Sequence, residues 1–136
     1  MLRVLIVAER RDGDLHPISL ELIAAGRKLI QEQDGYIDAA LLGHEVSSLA
    51  EGLLSRGVNT VYLVESPLLA DYTTDAYVNT MSRLIGLSNP EIVLMGQTTI
   101  GRDLAPRLAF RLNTAVAMDC INLELDALSG ALIARR

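Results

Sequence analysis

A chain of 136 residues, half of them apolar, can enclose one hydrophobic core but not two of ordinary size. Its formal charge of −5, the absence of Trp, a single Phe and the lack of any basic run offer nucleic acid neither a phosphate-binding stripe nor a stacking platform. Cys120 has no partner for an internal disulfide, and His16 and His44 lie far apart without metal-ligand spacing, so a structural zinc site is excluded.

Leu2 to Ala8 (LRVLIVA) is apolar at nearly every position and rich in branched residues, the pattern of a strand covered on both faces. This run is too short and too soon interrupted by charge for a signal peptide, and no stretch approaches the roughly 20 apolar residues that cross a bilayer. The expectation is a soluble protein of a reducing compartment, the cytoplasm or the mitochondrial matrix, with no direct membrane insertion. After the charged loop ERRDGDLH, Pro17 suits the first turn of a helix whose apolar positions Leu20, Ile23, Ala24 and Leu29 or Ile30 recur at helical spacing to about Gln33.

The alternation then repeats. Tyr36 to Leu42 reads as a strand closed by Gly43, and Ser47 to Arg56 as a short helix stopped by Gly57. Thr60 to Val64 is a third strand, followed by a loop holding Pro67 and a helix from Thr74 to Gly86 with Ala76, Tyr77, Met81, Leu84 and Ile85 inward. Ile92 to Met95 is a fourth strand leading into a helix that ends near Leu112. Thr114 to Met118 is read as a fifth strand. The segment INLELDALSGALIARR is read as a closing hairpin turning at Asp126 to Gly130, with Leu123, Leu125, Leu132 and Ile133 as its apolar positions. Strands alternating with helices predict an α/β domain with a doubly wound, mostly parallel sheet, because right-handed crossovers connect such units compactly. No repeat, linker or low-complexity segment divides residues 1–136, so a single domain is expected.

The junction GQTTIGRDLAPRLA, Gly96 to Ala109, follows the carboxyl end of the fourth strand, where open α/β sheets place their ligand crevice. A helix N-terminus there has unpaired N–H groups and partial positive charge. Gly101 offers close backbone approach, Thr98 and Thr99 offer hydroxyls and Arg102 a cation, so an anion site and a plain helix cap with a tight turn both fit. Asp103 read as the N-cap would place Pro106 at the third helical position, where its missing N–H costs nothing. Gly96 and Gly101 are five apart but no Gly-Lys-Ser/Thr follows, so this is not a P-loop, and no GxGxxG follows the first strand. Glu9, Arg10 and Arg11 lie at the same sheet edge, either lining the crevice or solvated. His16 and His44 are expected on surface loops, Cys120 as a small apolar residue, and no Ser, His and Asp arrangement points to nucleophilic catalysis. No catalytic set is read.

The stretch PEIVLMGQTTIGRDLAPRLAFRLNTAVAMDC, Pro90 to Cys120, closely resembles the alpha subunit of electron transfer flavoproteins, where a Pro-Glu strand leads into a Thr/Ser-Ile-Gly-Arg-Asp-Leu-Ala-Pro-Arg-Leu-Ala helix and an Ala-Asp-Cys strand. Val4 to Leu29 is similar to the start of the same subunit, and Ile100 to Ala109 is the specific part of the likeness. The resemblance implies the N-terminal domain of alpha, with an adenine nucleotide alpha hydrolase-like fold. It also implies an alpha/beta heterodimer that shuttles electrons on FAD from dehydrogenases, such as the acyl-CoA dehydrogenases of fatty-acid oxidation, to a quinone reductase or another acceptor. In that family the main FAD site belongs to a C-terminal domain of alpha. No FAD contact therefore transfers to this sequence, tight FAD binding by this segment is not expected, and residues 1–136 read as part of a longer subunit. Gln97, Thr98, Thr99, Gly101 and Arg102 then shape a crevice or a domain-docking surface. The competing reading is a stand-alone nucleotide-binding module of universal-stress type, whose Gly-rich ATP motif is not recognisable here.

Overall fold

The computed structural model describes residues 2–31, 34–114, 122–125 and 132–135, the last two segments through their backbone alone. In chain order these form β1 (Leu2–Val7), β2 (Arg10–Arg11), β3 (Asp14–Leu15), α1 (Pro17–Ile30), β4 (Gly35–Gly43), α2 (Ser47–Leu54), β5 (Thr60–Glu65), a 3-10 turn (Pro67–Leu69), α3 (Thr74–Ser88), β6 (Ile92–Leu94), α4 (Thr99–Arg111), β7 (Asn122–Leu125) and β8 (Leu132–Arg135). The main sheet has the order β5-β4-β1-β6 with every pairing parallel, as the alternation of strands and helices predicts.

Sequence and burial agree strand by strand. The apolar runs of β1 and β4 are the two central strands, where Val4 to Val7 and Ile37 to Gly43 are buried. β5 lies at the edge of this sheet and is only half-buried. Alternate side chains of the central strands enter two cores. Val4, Ile6, Ile37, Ala39 and Leu41 meet Leu22, Ile23 and Leu29 of α1 and Leu53 of α2 on one face. Leu5, Val7, Ala40 and Leu42 meet Tyr77, Val78, Met81 and Leu84 of α3 and Leu104 and Leu108 of α4 on the other. Helices on both faces make the sheet doubly wound.

Several local readings change. The charged loop after β1 is a small antiparallel hairpin, β2 against β3, because Asp12 (φ 54°) and Gly13 (φ 79°) both adopt the left-handed conformation that a two-residue turn of this twist requires. α1 ends at Ile30 with Gln31 as its C-cap, short of Gln33. Its start is as expected: Pro17 opens it, and His16 Nδ1 accepts the Ile18 N–H at 3.0 Å. Gly86 does not end α3, which continues to Ser88 and is closed by Asn89 in the left-handed conformation. The closing hairpin is present in the antiparallel pairing of β7 with β8. The fifth-strand reading from Thr114 to Met118, except Thr114 itself, lies outside the described residues, as do the hairpin's turn and Cys120.

Candidate functional site

Strand order locates the crevice. β4 lies on one side of β1 and β6 on the other, so the winding reverses between β1 and β6. Ile6 is paired with Leu94, which brings the chain leaving β1 at Ala8 and Glu9 beside the chain leaving β6 at Met95 and Gly96. This is where a doubly wound sheet opens to ligands. Glu9 and the junction residues Gln97, Thr98, Thr99, Gly101 and Arg102 are therefore brought to one edge.

Their geometry is specific. The α4 N-cap is Thr98, not Asp103: its Oγ1 accepts the Gly101 N–H at 3.1 Å, and helical bonding begins with Arg102 N–H to the Thr98 carbonyl at 2.9 Å. The same hydroxyl donates its proton to Glu9 Oε2 at 2.6 Å. Glu9, for which the sequence left both a crevice-lining and a solvated place open, is only 8% exposed. Its backbone is fixed by Ser19, whose Oγ accepts the Glu9 N–H at 2.8 Å and donates to the Glu9 carbonyl at 2.9 Å. A buried carboxylate thus sits at the N-terminal turn of α4 and complements the positive end of that helix. Glu65 does the same for α2, its Oε1 accepting from the Val46 and Ser47 N–H groups at 3.0 and 2.9 Å.

Both glycines of the junction are filled by protein. A Cβ on Gly101 would fall on the Gly96 carbonyl oxygen, and a Cβ on Gly96 would run into Ile18 and lie 3.4 Å from Glu9 Oε2. Gly101 lets the first turn of α4 approach the strand-to-helix loop, a space that backbone already occupies. Thr99 and Arg102 are exposed, and Arg102 makes no side-chain hydrogen bond or ion pair among the described residues. Arg10 turns away from the crevice, its Nη2 donating to the Leu69 and Ala70 carbonyls at 2.9 and 2.8 Å, while Arg11 is exposed in the hairpin. His44 lies 3.8 Å from Glu45 on the surface and His16 serves as a cap.

Two polar centres escape the sequence reading. Asp103, freed from capping, accepts Tyr72 Oη–H and Thr74 Oγ1–H, each at 2.6 Å on Oδ2, and Arg107 Nε–H at 3.1 Å on Oδ1. The Thr74 and Tyr72 hydroxyls, with Arg107, hold its carboxyl down at about 2. Burial, reinforced by the Asp103 charge, pushes Tyr72 up to about 12. Asp38 is 3% exposed in the middle of β4, with Arg3 Nη1 at 3.5 Å from Oδ2 and no hydrogen bond to Oδ1. Burial raises its pKa, and Arg3 opposes the shift. A carboxylate in a continuous apolar run was the visible sign of this centre. Among the described residues no group of three or more His, Cys, Asp and Glu could hold a metal, and no helix is long and apolar enough to cross a membrane.

The family model of the electron transfer flavoprotein domain matches residues 4–136. The chain is similar to the electron transfer flavoprotein subunit alpha of Thermoanaerobacterium thermosaccharolyticum, 43% identical over 89% of this chain and 37% of the relative. It is 39% identical to the subunit alpha of Clostridium acetobutylicum over 98% of this chain and 40% of that protein. The acryloyl-CoA reductase electron transfer subunit beta of Anaerotignum propionicum is 41% identical over 89% of this chain and 33% of that subunit. The chain thus spans well under half the length of each of these relatives.

Proposed function

Because the chain belongs to the electron transfer flavoprotein family, we propose that it is the N-terminal domain of an alpha subunit. That subunit pairs with a beta subunit and carries electrons on FAD from dehydrogenases, such as acyl-CoA dehydrogenases, to a quinone reductase or another acceptor. In this reading residues 1–136 form one domain that is scaffold and docking surface, and a further part of the subunit holds the flavin. FAD, where it is bound, supplies the electron transfer. These residues contribute a rigid sheet edge against which partner or flavin domain rests, with Gln97, Thr98, Thr99, Gly101 and Arg102 at its lip.

The observation that carries the docking role is the Glu9–Thr98 hydrogen bond of 2.6 Å at the first turn of α4. A phosphate bound there would lie against a buried carboxylate, with the Gly101 N–H already taken by Thr98 Oγ1 and the close approach at Gly101 spent on the Gly96 carbonyl. The junction therefore does not fit the pyrophosphate of FAD or the phosphates of a stand-alone universal-stress module. Titration calorimetry of AMP, ADP and ATP into the chain and its Arg102→Ala variant tests this. No binding by either is expected, whereas wild-type binding that Arg102→Ala abolishes would favour the nucleotide-binding module. The intact mass of the native polypeptide tests the rest: a mass well above 14.8 kDa is expected, with flavin absorbance in the purified complex.

A further inference from the structure

α3 and α4 pack side by side on one face of the sheet, and an open groove of about 400 Å³ runs between them, away from the switch-point crevice. Val78, Pro106 and Phe110 supply its apolar lining and Arg107 and Arg111 its charge. Phe110 is the chain's single phenylalanine and is 89% exposed. One exposed apolar residue is ordinary. Here it is joined by two guanidinium groups that are already held in place. Arg107 Nε donates to Asp103 Oδ1 at 3.1 Å and Arg111 Nη1 donates to Asn79 Oδ1 at 2.7 Å, leaving the other N–H donors of each fork for an incoming acceptor. Arginine forks fixed before an encounter lose less entropy when they bind a carboxylate.

The sign of the surface identifies what it receives. Exposed Arg83 lies one turn beyond Asn79 on α3. Asp103 is already committed to Tyr72, Thr74 and Arg107, and Asp75 lines the groove at the first turn of α3. Arg83, Arg107 and Arg111 thus stand against Asp75 and Asp103, so on a chain of net charge −5 this partly apolar face keeps a positive excess and free guanidinium donors, complementary to an acidic partner. We propose that the groove between α3 and α4 docks an acidic segment of another protein, with carboxylates on Arg107 and Arg111 and an apolar side chain against Phe110 and Pro106. Asp75 at one end directs those carboxylates toward Arg111. The proposal stands on the groove alone and holds whether or not the flavoprotein reading does.

The test places a photo-reactive benzoyl-phenylalanine at position 110 of the full-length protein in its native host, irradiates the intact assembly and maps the linked peptide by mass spectrometry. The expected link joins a segment of a different protein rich in Asp and Glu. Arg111→Glu is expected to lower its yield about tenfold, with Arg111→Lys retaining most of it and Lys substitutions in the acidic segment restoring the Arg111→Glu loss. Circular dichroism of each variant separates lost docking from lost folding, and Arg83→Glu gives an independent charge reversal with the same expected direction. A link to a second copy of this chain, a link to a segment without acidic residues, a link insensitive to these reversals, or no link would overturn the proposal.

Discussion

Gly101 has no room for a methyl group, because its missing Cβ is where the Gly96 carbonyl oxygen sits. Backbone cannot yield as a flexible side-chain tip can, so Gly101→Ala is expected to cost about 3 kcal/mol or more in urea denaturation. Thr98 carries a different load on one oxygen, capping Gly101 N–H and serving as donor to Glu9. Thr98→Ala removes a cap worth about 1 kcal/mol and strips a buried carboxylate of its hydroxyl donor, so a total loss of roughly 2–4 kcal/mol is expected. Thr98→Ser keeps both bonds and should remain within about 0.5 kcal/mol of the parent. A Thr98→Ala protein as stable as the parent would mean that the Glu9–Thr98 bond is not formed in solution. The junction's residue types announced a helix start, but not that the chain's own carboxylate would complete it. Glu9 and Thr98 are 89 residues apart, and only the pairing of β1 with β6 brings them together.

At the scale of the element, α4 shows why a local rule misplaced a boundary. Starting the helix at Asp103 spares Pro106 any lost hydrogen bond, yet α4 starts at Thr99 and carries Pro106 inside it. An interior proline costs about 3 kcal/mol. The offsetting terms are tertiary: Gly101 packs on Gly96, and Leu104 and Leu108 enter the core at 0% and 2% exposure. The early start leaves Asp103 free to tie α4 to Tyr72, just before α3, and to Thr74, its first residue. That tie has a pH signature. With its folded pKa lowered to about 2, Asp103 stabilises the fold fully above the ordinary carboxylate pKa of about 3.9, and the contribution is lost as pH falls toward 2. Tyr72, raised to about 12, contributes fully below about 10 and loses its contribution as pH rises through 12. Asp103→Asn should lower the Tyr72 pKa while leaving it above its ordinary value, because burial, the largest single cause, remains. Absorbance titration of the phenolate, referenced to Tyr72→Phe, measures this; a parent Tyr72 that ionises near 10 would remove the tie from the account.

For the whole molecule, the alternation of apolar strands and amphipathic helices was legible because each strand of a covered parallel sheet must be apolar on both faces. Strand order was not, since alternation alone does not say on which side of β1 the chain next pairs. The environment of Asp38 follows from that order. β4 becomes central, with Leu5 of β1 and Thr60 of β5 flanking Asp38, and the one acidic residue in YIDAALL is enclosed. Arg3, itself partly exposed, approaches one oxygen at 3.5 Å and leaves the other without a partner. Burial therefore outweighs Arg3, and the weaker opposition of Thr60 on the neighbouring strand, and raises the Asp38 pKa. A folded state that binds this proton more readily than the unfolded chain is favoured below the ordinary carboxylate pKa, and the advantage is lost as pH rises through the folded value. Asp38 and Asp103 thus pull in opposite directions. Their sum predicts that stability rises as pH falls through the raised Asp38 pKa, then drops once the unfolded chain protonates its Asp103 below about 4. Asp38→Asn carries no charge to desolvate, so it should exceed the parent in stability at neutral pH and lose the rise on acidification. Urea midpoints of both proteins followed from about pH 7 down to the ordinary carboxylate pKa of about 3.9 decide the matter. A parent whose midpoint is flat over that range, with Asp38→Asn less stable throughout, would show that the Arg3 attraction outweighs the desolvation of a carboxylate at the centre of the sheet.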